Sequence, residues 1–367
     1  MATIKVKDVT SCLETLAPRS FQEDYDNSGL LTGQPEWEVT GILVTLDCLE
    51  SIVDEAIRLH YNLIVAHHPV IFRGIKKLTG QNYIERTLIK AIKNDIAIYA
   101  IHTNLDNVYV GVNKKIADKL GLRDVEILSP RRDTLLKLET FIPKEKVDTV
   151  LHALHAAGAG NLGEYKNCSF QTTGTGAFMP TGKANPHIGK LDQLEHVEEI
   201  RAEVIVPRFA EKAVLKALRE THPYEEVAYY ITRLENENQE VGAGMVGHLP
   251  TELEPKEFLM RLKGSMRTLC VRHTALNQRP IKKVAICGGA GSFLLPEAIQ
   301  KGSDAFVSAD FKYHEFFDAD NKILIADIGH YESESFTKEL LKEVLNEKFP
   351  TFAINFSNVD TNPISYL

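Results

Sequence analysis

Three short segments carry histidine and carboxylate side chains at positions where a metal ion could be bound. In the first segment, His67 and His68 follow an apolar run at residues 62–66 that predicts a buried parallel strand. Open α/β sheets bind their ligands at the carboxyl ends of such strands. Because adjacent side chains of a strand point to opposite sides, the two imidazoles suit two neighbouring ions better than one. The alternative is a pair of hydrogen-bonded loop histidines.

The other two segments place the same residue types after further predicted strands. His102 and Asp106 follow an apolar run at residues 96–101, and Asp106 could instead cap the next helix. His330 and Glu334 open a predicted helix, where a spacing of four puts both side chains on one face with Cβ atoms roughly 5–6 Å apart. Otherwise, Glu334 would simply favour the positive N-terminal end of that helix.

The coincidence of the three segments is a stronger signal than any one of them. We expect all three to lie at the carboxyl ends of strands in one sheet, which would bring imidazole and carboxylate groups together. This set of ligands favours zinc, iron, manganese or nickel over calcium. Five ligands shared between two ions would leave coordination positions open for water, as catalytic sites do.

Two internal repeats, one nested inside the other, indicate the elements that position these segments. Residues 55–68 resemble residues 297–310, and each copy belongs to a predicted strand–helix–strand unit with parallel strands. Between them, residues 138–154 resemble residues 202–218, and each copy predicts a strand and a helix that precede a further strand. Two tandem units of this second kind indicate a ferredoxin-like sandwich.

We therefore predict an α/β protein with a duplicated three-layer α/β/α metal-binding domain and an inserted ferredoxin-like α+β domain. The duplicated domain is predicted to be discontinuous and to comprise residues 1–128 and 245–367. The insert is predicted at residues 129–244. The alternative is that short apolar strands resemble one another without any duplication.

The composition excludes collagen-like, fibrous and disordered proteins. The chain has 367 residues, of which 44% are hydrophobic and 25% charged, the balance of a globular protein with two or three domains. Its net charge of −8 opposes binding to nucleic acid and to anionic membranes. We find neither a signal peptide nor an apolar run long enough for a membrane span. The five cysteines form no CxxC pair, so we expect reduced thiols and a cytoplasmic protein.

The three segments, together with residues 26–30, resemble the dinuclear-metal family of GTP cyclohydrolase 1 type 2 homologs, also called the NIF-three-like family. The resemblance covers nearly the whole chain. It implies two divalent metal ions per chain, with zinc the first expectation and iron, manganese or nickel the alternatives. It also implies a toroidal homohexamer with metal sites facing a central cavity, and an insert similar to the P-two-type nitrogen signalling and copper-tolerance-A folds. The implied ligands are His67, His68, Asp106, His330 and Glu334, with Glu334 as the bridge.

Several neighbouring residues are predicted to support the metal site. Asp310 corresponds to His68 in the repeat, and either Asp310 or His102 could orient a ligand histidine, although an ordinary polar loop is slightly favoured for Asp310. His102 could also move a proton, since the ordinary pKa of histidine, about 6.5, suits that task. A glycine-rich turn after a predicted strand could bind an anion through its amides, or could simply be tight. The residues of this turn are Gly288, Gly289, Gly291 and Ser292.

The leading functional prediction is a metal-dependent hydrolase in which a metal-activated water attacks a nucleotide-like or other small substrate. The family label points to GTP by homology alone, and no residue is assigned a catalytic role. The alternative is a regulatory protein in which the insert binds an effector and the metal ring is structural or docks a ligand. Nucleic-acid binding inside the ring is the least favoured function because of the net charge of −8.

Overall fold

The computed structural model describes residues 3–276 and 279–367, and these residues form a mixed α/β fold with three sheets. The chain divides into two compact units. The first, here called the split unit, ends at Ser129 and resumes at Val241, and the second, the inserted unit, is Pro130–Glu240. No helix within the described ranges is long and apolar enough to cross a membrane.

The strands and α-helices of the described residues are numbered along the chain. The strands are β1 (Gly29–Thr32), β2 (Ile42–Thr45), β3 (Leu63–Ala66), β4 (Ala97–Ala100), β5 (Arg123–Arg131), β6 (Leu135–Pro143), β7 (Phe170–Phe178), β8 (Glu195–Pro207), β9 (Tyr229–Arg233), β10 (Asn238–Leu253), β11 (Arg272–His273), β12 (Ile281–Ala290), β13 (Ala305–Ala309), β14 (Leu324–Asp327) and β15 (Ile354–Phe356). The helices are α1 (Val6–Leu16), α2 (Glu50–Leu59), α3 (Tyr83–Lys93), α4 (Thr103–Asp106), α5 (Val112–Leu120), α6 (Val147–Ala156), α7 (Glu211–Thr221), α8 (Pro255–Ser265), α9 (Leu295–Gln300), α10 (His330–Glu334) and α11 (Thr337–Lys348).

The first sheet of the split unit has the strand order β1-β4-β3-β2-β15. Strands β15, β2, β3 and β4 are parallel, and β1 pairs with β4 in the antiparallel direction at the edge. Every residue of β2, β3 and β4 is buried, which is why these strands have continuous apolar sequences rather than alternating ones. Helices α2 and α3 connect β2 to β3 and β3 to β4, so the carboxyl ends of these strands lie along one edge.

The second sheet of the split unit has the order β11-β14-β13-β12-β10-β5. Its centre is again parallel, with β12, β13 and β14 side by side, and β10 and β11 are antiparallel to their neighbours β12 and β14. The expectation that all three metal-binding segments share one sheet is therefore wrong. Two of the segments follow strands of the first sheet, and the third follows β14 of the second, because each copy of the outer repeat (residues 55–68 and 297–310) contributes to its own parallel sheet. That the two copies arose by duplication stays a prediction.

The inserted unit contains one sheet with the order β7-β8-β6-β9, in which all neighbouring strands are antiparallel. Helix α6 lies between β6 and β7 along the chain, and α7 lies between β8 and β9. Leu138 of β6 and Val204 of β8 share a buried cluster with Val150 of α6 and Leu218 of α7, so both helices cover the same face. Alternate residues of β6 and β8 point to the opposite face, which neither helix covers.

Candidate metal centre

The residues of the predicted ligand set meet at the carboxyl ends of β3, β4 and β14. His67 and His68 follow β3 directly, and the short helix α4 after β4 ends at Asp106. Helix α10 after β14 begins at His330 and ends at Glu334. Within groups of three drawn from this set, the possible ligand atoms lie within 4.8 Å of one another. The structure therefore brings together side chains that are up to 267 residues apart in the sequence, the separation of His67 and Glu334 (334 − 67).

Glu334 is at the centre of this cluster. Its side chain is only 3% exposed, and its Oε2 lies 2.9 Å from His68 Nε2 and 3.1 Å from His330 Nε2. The Nε2 of His67 is 3.9 Å from the same oxygen. Because an unpaired buried charge costs several kcal/mol, this carboxylate requires positive charge on the groups around it.

One ring nitrogen of His67 faces the cluster without a hydrogen-bond partner among the described residues. The ring is fully buried, and its Nδ1 donates a hydrogen bond to the carbonyl of Ile101 at 2.8 Å. Nε2 is then the nitrogen with the lone pair, and it lies 3.6 Å from Asp106 Oδ1. Both atoms are buried, and neither has a hydrogen-bond partner among the described residues. Such orphaned atoms are rare, and two ligand atoms of one tetrahedral zinc ion would lie about 3.4 Å apart, so this pair fits a divalent cation.

Carboxylates orient the other two histidines of the set. His68 Nδ1 lies 2.8 Å from Asp47 Oδ1, and His330 Nδ1 lies 2.7 Å from Asp310 Oδ2. Each contact orients its ring so that Nε2 faces Glu334. The Nε2 atoms of His68 and His330 are 3.4 Å apart. Metal-binding histidines commonly have such a carboxylate on the other ring nitrogen. Asp47 was not predicted, and its position two residues after β2, at the edge that carries His68, is the signal that could have found it.

These contacts shift the pKa values of the cluster. Burial lowers the pKa of His68 and His330, but the neighbouring carboxylates outweigh it and raise the two values to about 9 and about 11. Burial raises the pKa of Glu334, yet the charge and hydrogen bond of His330, with the hydrogen bond of His68, hold it well below its usual range. Burial and the charge of Glu334 raise the pKa of Asp106 to about 7. Two protonated imidazoles thus stabilise one ionised buried carboxylate.

His102 faces the same cluster from the end of β4. Its ring centre lies 5.4 Å from that of His67 and 5.3 Å from that of His68, and its Nδ1 lies 2.8 Å from Asp26 Oδ1. Burial raises the pKa of Asp26, but the hydrogen bond and charge of His102, together with hydrogen bonds from Thr103 and the backbone, lower it below its ordinary value. An ionised Asp26 keeps the proton on Nδ1 of His102, so Nε2 is free to accept a proton or to bind a metal ion.

The glycine-rich segment packs against the helix that carries Glu334. Strand β12 includes Gly288 and Gly289, whose amides donate to Asn113 Oδ1 and to Ser333 Oγ, each at 2.9 Å. Because both amides already donate within the protein, they are not free for an anion in this structure, and anion binding at this segment stays a prediction. Gly289 has a φ of 62°, and a Cβ built on it would lie 2.4 Å from Glu334 Oε1. Position 289 requires glycine because the Glu334 carboxylate occupies the space that a side chain at this position would need.

The end of the same segment is a tight turn. A Cβ built on Gly291 would lie 2.3 Å from Ser308 Oγ, and Ser292 begins a 3-10 turn that ends at Leu294. Close packing explains this glycine, and anion binding at Gly291 and Ser292 stays a prediction.

A cavity of about 440 Å³ opens onto the cluster. Four phenylalanine and tyrosine side chains line it, and three of them, Tyr25, Phe72 and Phe293, are each at least 47% exposed. No lysine or arginine within the described part of the chain lines this cavity. A small molecule with a planar ring could therefore stack against its walls, whereas a phosphate group would meet no side-chain cation other than the histidines.

Comparison with known proteins gives a consistent result along the whole chain. The model of the family described as Duf34/NIF3 (NGG1p interacting factor 3) matches residues 4–363. The chain is 39% identical to the GTP cyclohydrolase 1 type 2 homolog of Bacillus subtilis (strain 168), and the match covers 100% of this chain and 99% of that protein. It is 37% identical to the protein of the same name from Staphylococcus epidermidis, with 99% and 100% of the two chains covered.

Solved structures show the same similarity. The crystal structure of a Bacillus cereus protein related to NIF3 matches with a TM-score of 0.88 at 35% identity, and both chains are covered completely. Staphylococcus aureus protein SA1388 matches with a TM-score of 0.79 at 30% identity, again over both whole chains.

Gly289→Ala tests whether the cluster depends on this glycine. A left-handed backbone costs alanine roughly 1–2 kcal/mol, and the new Cβ would also displace the Glu334 carboxylate from its histidines. We expect a lower midpoint of thermal unfolding and a lower content of bound metal by elemental analysis. Gly302→Ala is the matched control, because Gly302 has a φ of 69° and no atom within 4 Å of a built Cβ. Equal metal content in the two variants would contradict this role of Gly289.

Binding of a divalent cation should release protons from the cluster. His68 and His330, with pKa values raised to about 9 and about 11, are protonated near neutral pH, whereas only neutral imidazole binds a metal ion. Two protons must leave when both imidazoles bind, so below a pH of about 9 the affinity for a zinc ion held by both histidines should fall roughly a hundredfold per pH unit, tenfold for each proton. Calorimetric titration with zinc in buffers of different ionisation enthalpy measures the protons released. Binding without proton release and without pH dependence would show that these histidines are not ligands.

Proposed function

The chain belongs to the Duf34/NIF3 family, and we propose on that premise that it is a metal-dependent hydrolase with a site for two divalent ions. The observation that carries the proposal is the pair of buried, unpartnered atoms His67 Nε2 and Asp106 Oδ1 beside the Glu334 carboxylate. A site meant only to stabilise the fold would gain by satisfying these atoms within the protein.

We assign the ligands to two groups that share Glu334. His67, Asp106 and Glu334 would hold one ion, and His68, His330 and Glu334 would hold the other. Each group offers three protein ligands, which for zinc leaves a fourth position open to a water or a substrate atom. Zinc is our first choice, and iron, manganese and nickel are compatible with the same imidazole and carboxylate donors. Bound ions would supply Lewis-acid chemistry, by lowering the pKa of a water and by stabilising developing negative charge.

The residues of the chain around the ions would do the remaining work. Glu334 holds both groups of ligands in register, and Asp47 and Asp310 fix the rings of their histidines so that Nε2 points inward. His102, whose Nδ1 is held by Asp26, is placed to accept or return a proton at Nε2 at the mouth of the cavity.

The cavity favours a substrate with a planar ring. Tyr25, Phe72 and Phe293 offer ring faces and edges for stacking, and a volume of about 440 Å³ suits a molecule of nucleoside size. The name of the relatives includes GTP cyclohydrolase, so GTP and other nucleotides are the first substrates to screen. Since no described lysine or arginine lines the cavity, any phosphate would depend on the bound ions for charge compensation.

We also propose the finer architecture for both units. A ferredoxin-like fold for the inserted unit is supported by its β-α-β-β-α-β order and by the sheet order β7-β8-β6-β9. A duplicated three-layer domain is supported by the two parallel cores, β2-β3-β4 and β12-β13-β14, of the split unit. Assembly into a homohexamer and a cytoplasmic location follow from the family resemblance and the thiol content.

Metal content and turnover in ligand variants test the proposed function. We expect roughly two transition-metal ions per chain in protein purified without chelator, and at most one in His330→Ala. His152→Ala is the matched control, because His152 is an exposed histidine of α6 and lies in the other unit. Glu334→Gln keeps the size of the side chain but removes its charge, so we expect a loss of nucleotide hydrolysis of at least a hundredfold, on the order of the effects seen when charge stabilisation is removed.

Two results would contradict the proposal. The first is a wild-type protein that contains no transition metal and takes up none on reconstitution. The second is turnover by Glu334→Gln at the wild-type rate with any substrate that the wild type hydrolyses.

A further inference from the structure

The inserted unit contains a second and larger cavity, of about 790 Å³. It lies against the sheet face opposite α6 and α7, where Phe141 of β6 and the β8 residues Glu199 and Arg201 line it. The segment after β7 and the residues around Tyr224 complete its walls. The metal centre lies in the split unit, so this cavity needs a chemical explanation of its own.

Three carboxylates face this cavity without a cation to balance them. Glu199, Glu225 and Glu226 line it, and none of them forms an ion pair with a lysine or arginine among the described residues. Arg201 is the one described lysine or arginine in the lining, and its guanidinium pairs with Glu203 at 2.6 Å. The cavity therefore has a net negative charge that the protein does not compensate.

Glu199 is the most informative of the three carboxylates. It is only 7% exposed, and the hydroxyl of Tyr224 donates a hydrogen bond to its Oε1 at 2.8 Å. A buried carboxylate with one hydrogen bond from a neutral donor is costly unless a cation joins it. A Cβ built on Gly176 would lie 2.1 Å from Glu199 Oε2, so this glycine leaves the space that the carboxylate occupies.

Aromatic rings surround the carboxylate on the same side of the sheet. Phe141 and Tyr230 meet edge to face with ring centres 5.9 Å apart, and Phe178 lies 5.8 Å from Tyr224. Tyrosine and phenylalanine faces attract ammonium groups as well as apolar rings. A metal ion is a poor candidate for this place, because the groups of three or more potential metal ligands found among the described residues all lie in the split unit.

We propose that this cavity is a binding site for a small molecule that carries a protonated amine on an aromatic body. The amine binds Glu199, with Glu225 and Glu226 adding to the attractive field, and the ring of the ligand packs between Phe141, Tyr224 and Tyr230. The site gives the inserted unit a binding function that does not depend on the proposed hydrolase activity.

Calorimetric titration of the whole chain with tryptamine, phenethylamine and 3-indolepropionate tests the proposal. The two amines share an aromatic body with a cation, and 3-indolepropionate keeps the indole of tryptamine but carries an anion. We expect at least one amine to bind with a dissociation constant below about 1 mM and 3-indolepropionate to bind at least tenfold more weakly. Binding should be unchanged in His330→Ala, which separates this site from the metal centre.

Three variants locate the binding. Glu199→Gln can still accept the hydrogen bond of Tyr224 but lacks the charge, and it should weaken amine binding at least tenfold. Gly174 pairs with Glu199 across the sheet, and a Cβ built on it meets no atom within 4 Å, so Gly174→Val adds bulk beside Glu199 and should abolish binding. Gln171→Val, on the same strand but outside the lining, is the matched control and should bind as the wild type does.

The proposal is overturned if neither amine binds, or if 3-indolepropionate binds as tightly as tryptamine. It is equally overturned if Glu199→Gln and Gly174→Val, folded by circular dichroism, bind the amines with wild-type affinity.

Discussion

The buried carboxylate of Glu334 is the constraint on which the split unit depends. A negative charge that is 3% exposed can persist only if positive charge is brought to it from several directions. His68 follows β3 of the first sheet, and His330 begins α10 after β14 of the second sheet. The Nε2 atoms of both histidines contact Oε2 of Glu334. Three features of the fold make this arrangement of charges possible. They are the parallel cores of the two sheets, the short helix α10 and the glycine at position 289.

The surroundings of Glu334 explain why the site is more than a salt bridge. His68 and His330 satisfy one oxygen of Glu334, yet His67 Nε2 and Asp106 Oδ1 beside it are left without hydrogen bonds. Two such atoms side by side are unfavourable in a network that only stabilises the fold, since each costs about 1–3 kcal/mol. The same atoms become favourable when they bind a cation. Under the proposed function, a bound metal ion would remove this cost.

Much of the site could be predicted from the sequence, because the ligands lie in short segments that follow apolar strands. The positions after β3, β4 and β14 were recognisable for this reason, and Asp310 could be found by comparing the two repeats. The assignment to one sheet failed, since a repeat in sequence does not reveal whether two copies share a sheet. Asp47 and the role of Gly289 were missed because they depend on contacts across the fold. Asp47 meets His68 only when β2 and β3 pair, and Gly289 meets Glu334 only when α10 packs on β12.

The central claim is that Glu334 bridges two metal ions, and anomalous X-ray diffraction tests it most directly. Crystals of protein purified without chelator would be measured at the absorption edge of the metal found in the preparation. The account predicts two anomalous peaks separated by roughly 3.5–4 Å, one beside His67 and Asp106, the other beside His68 and His330, and both in contact with Glu334. A map without peaks there, or with a single peak that does not touch Glu334, would contradict it.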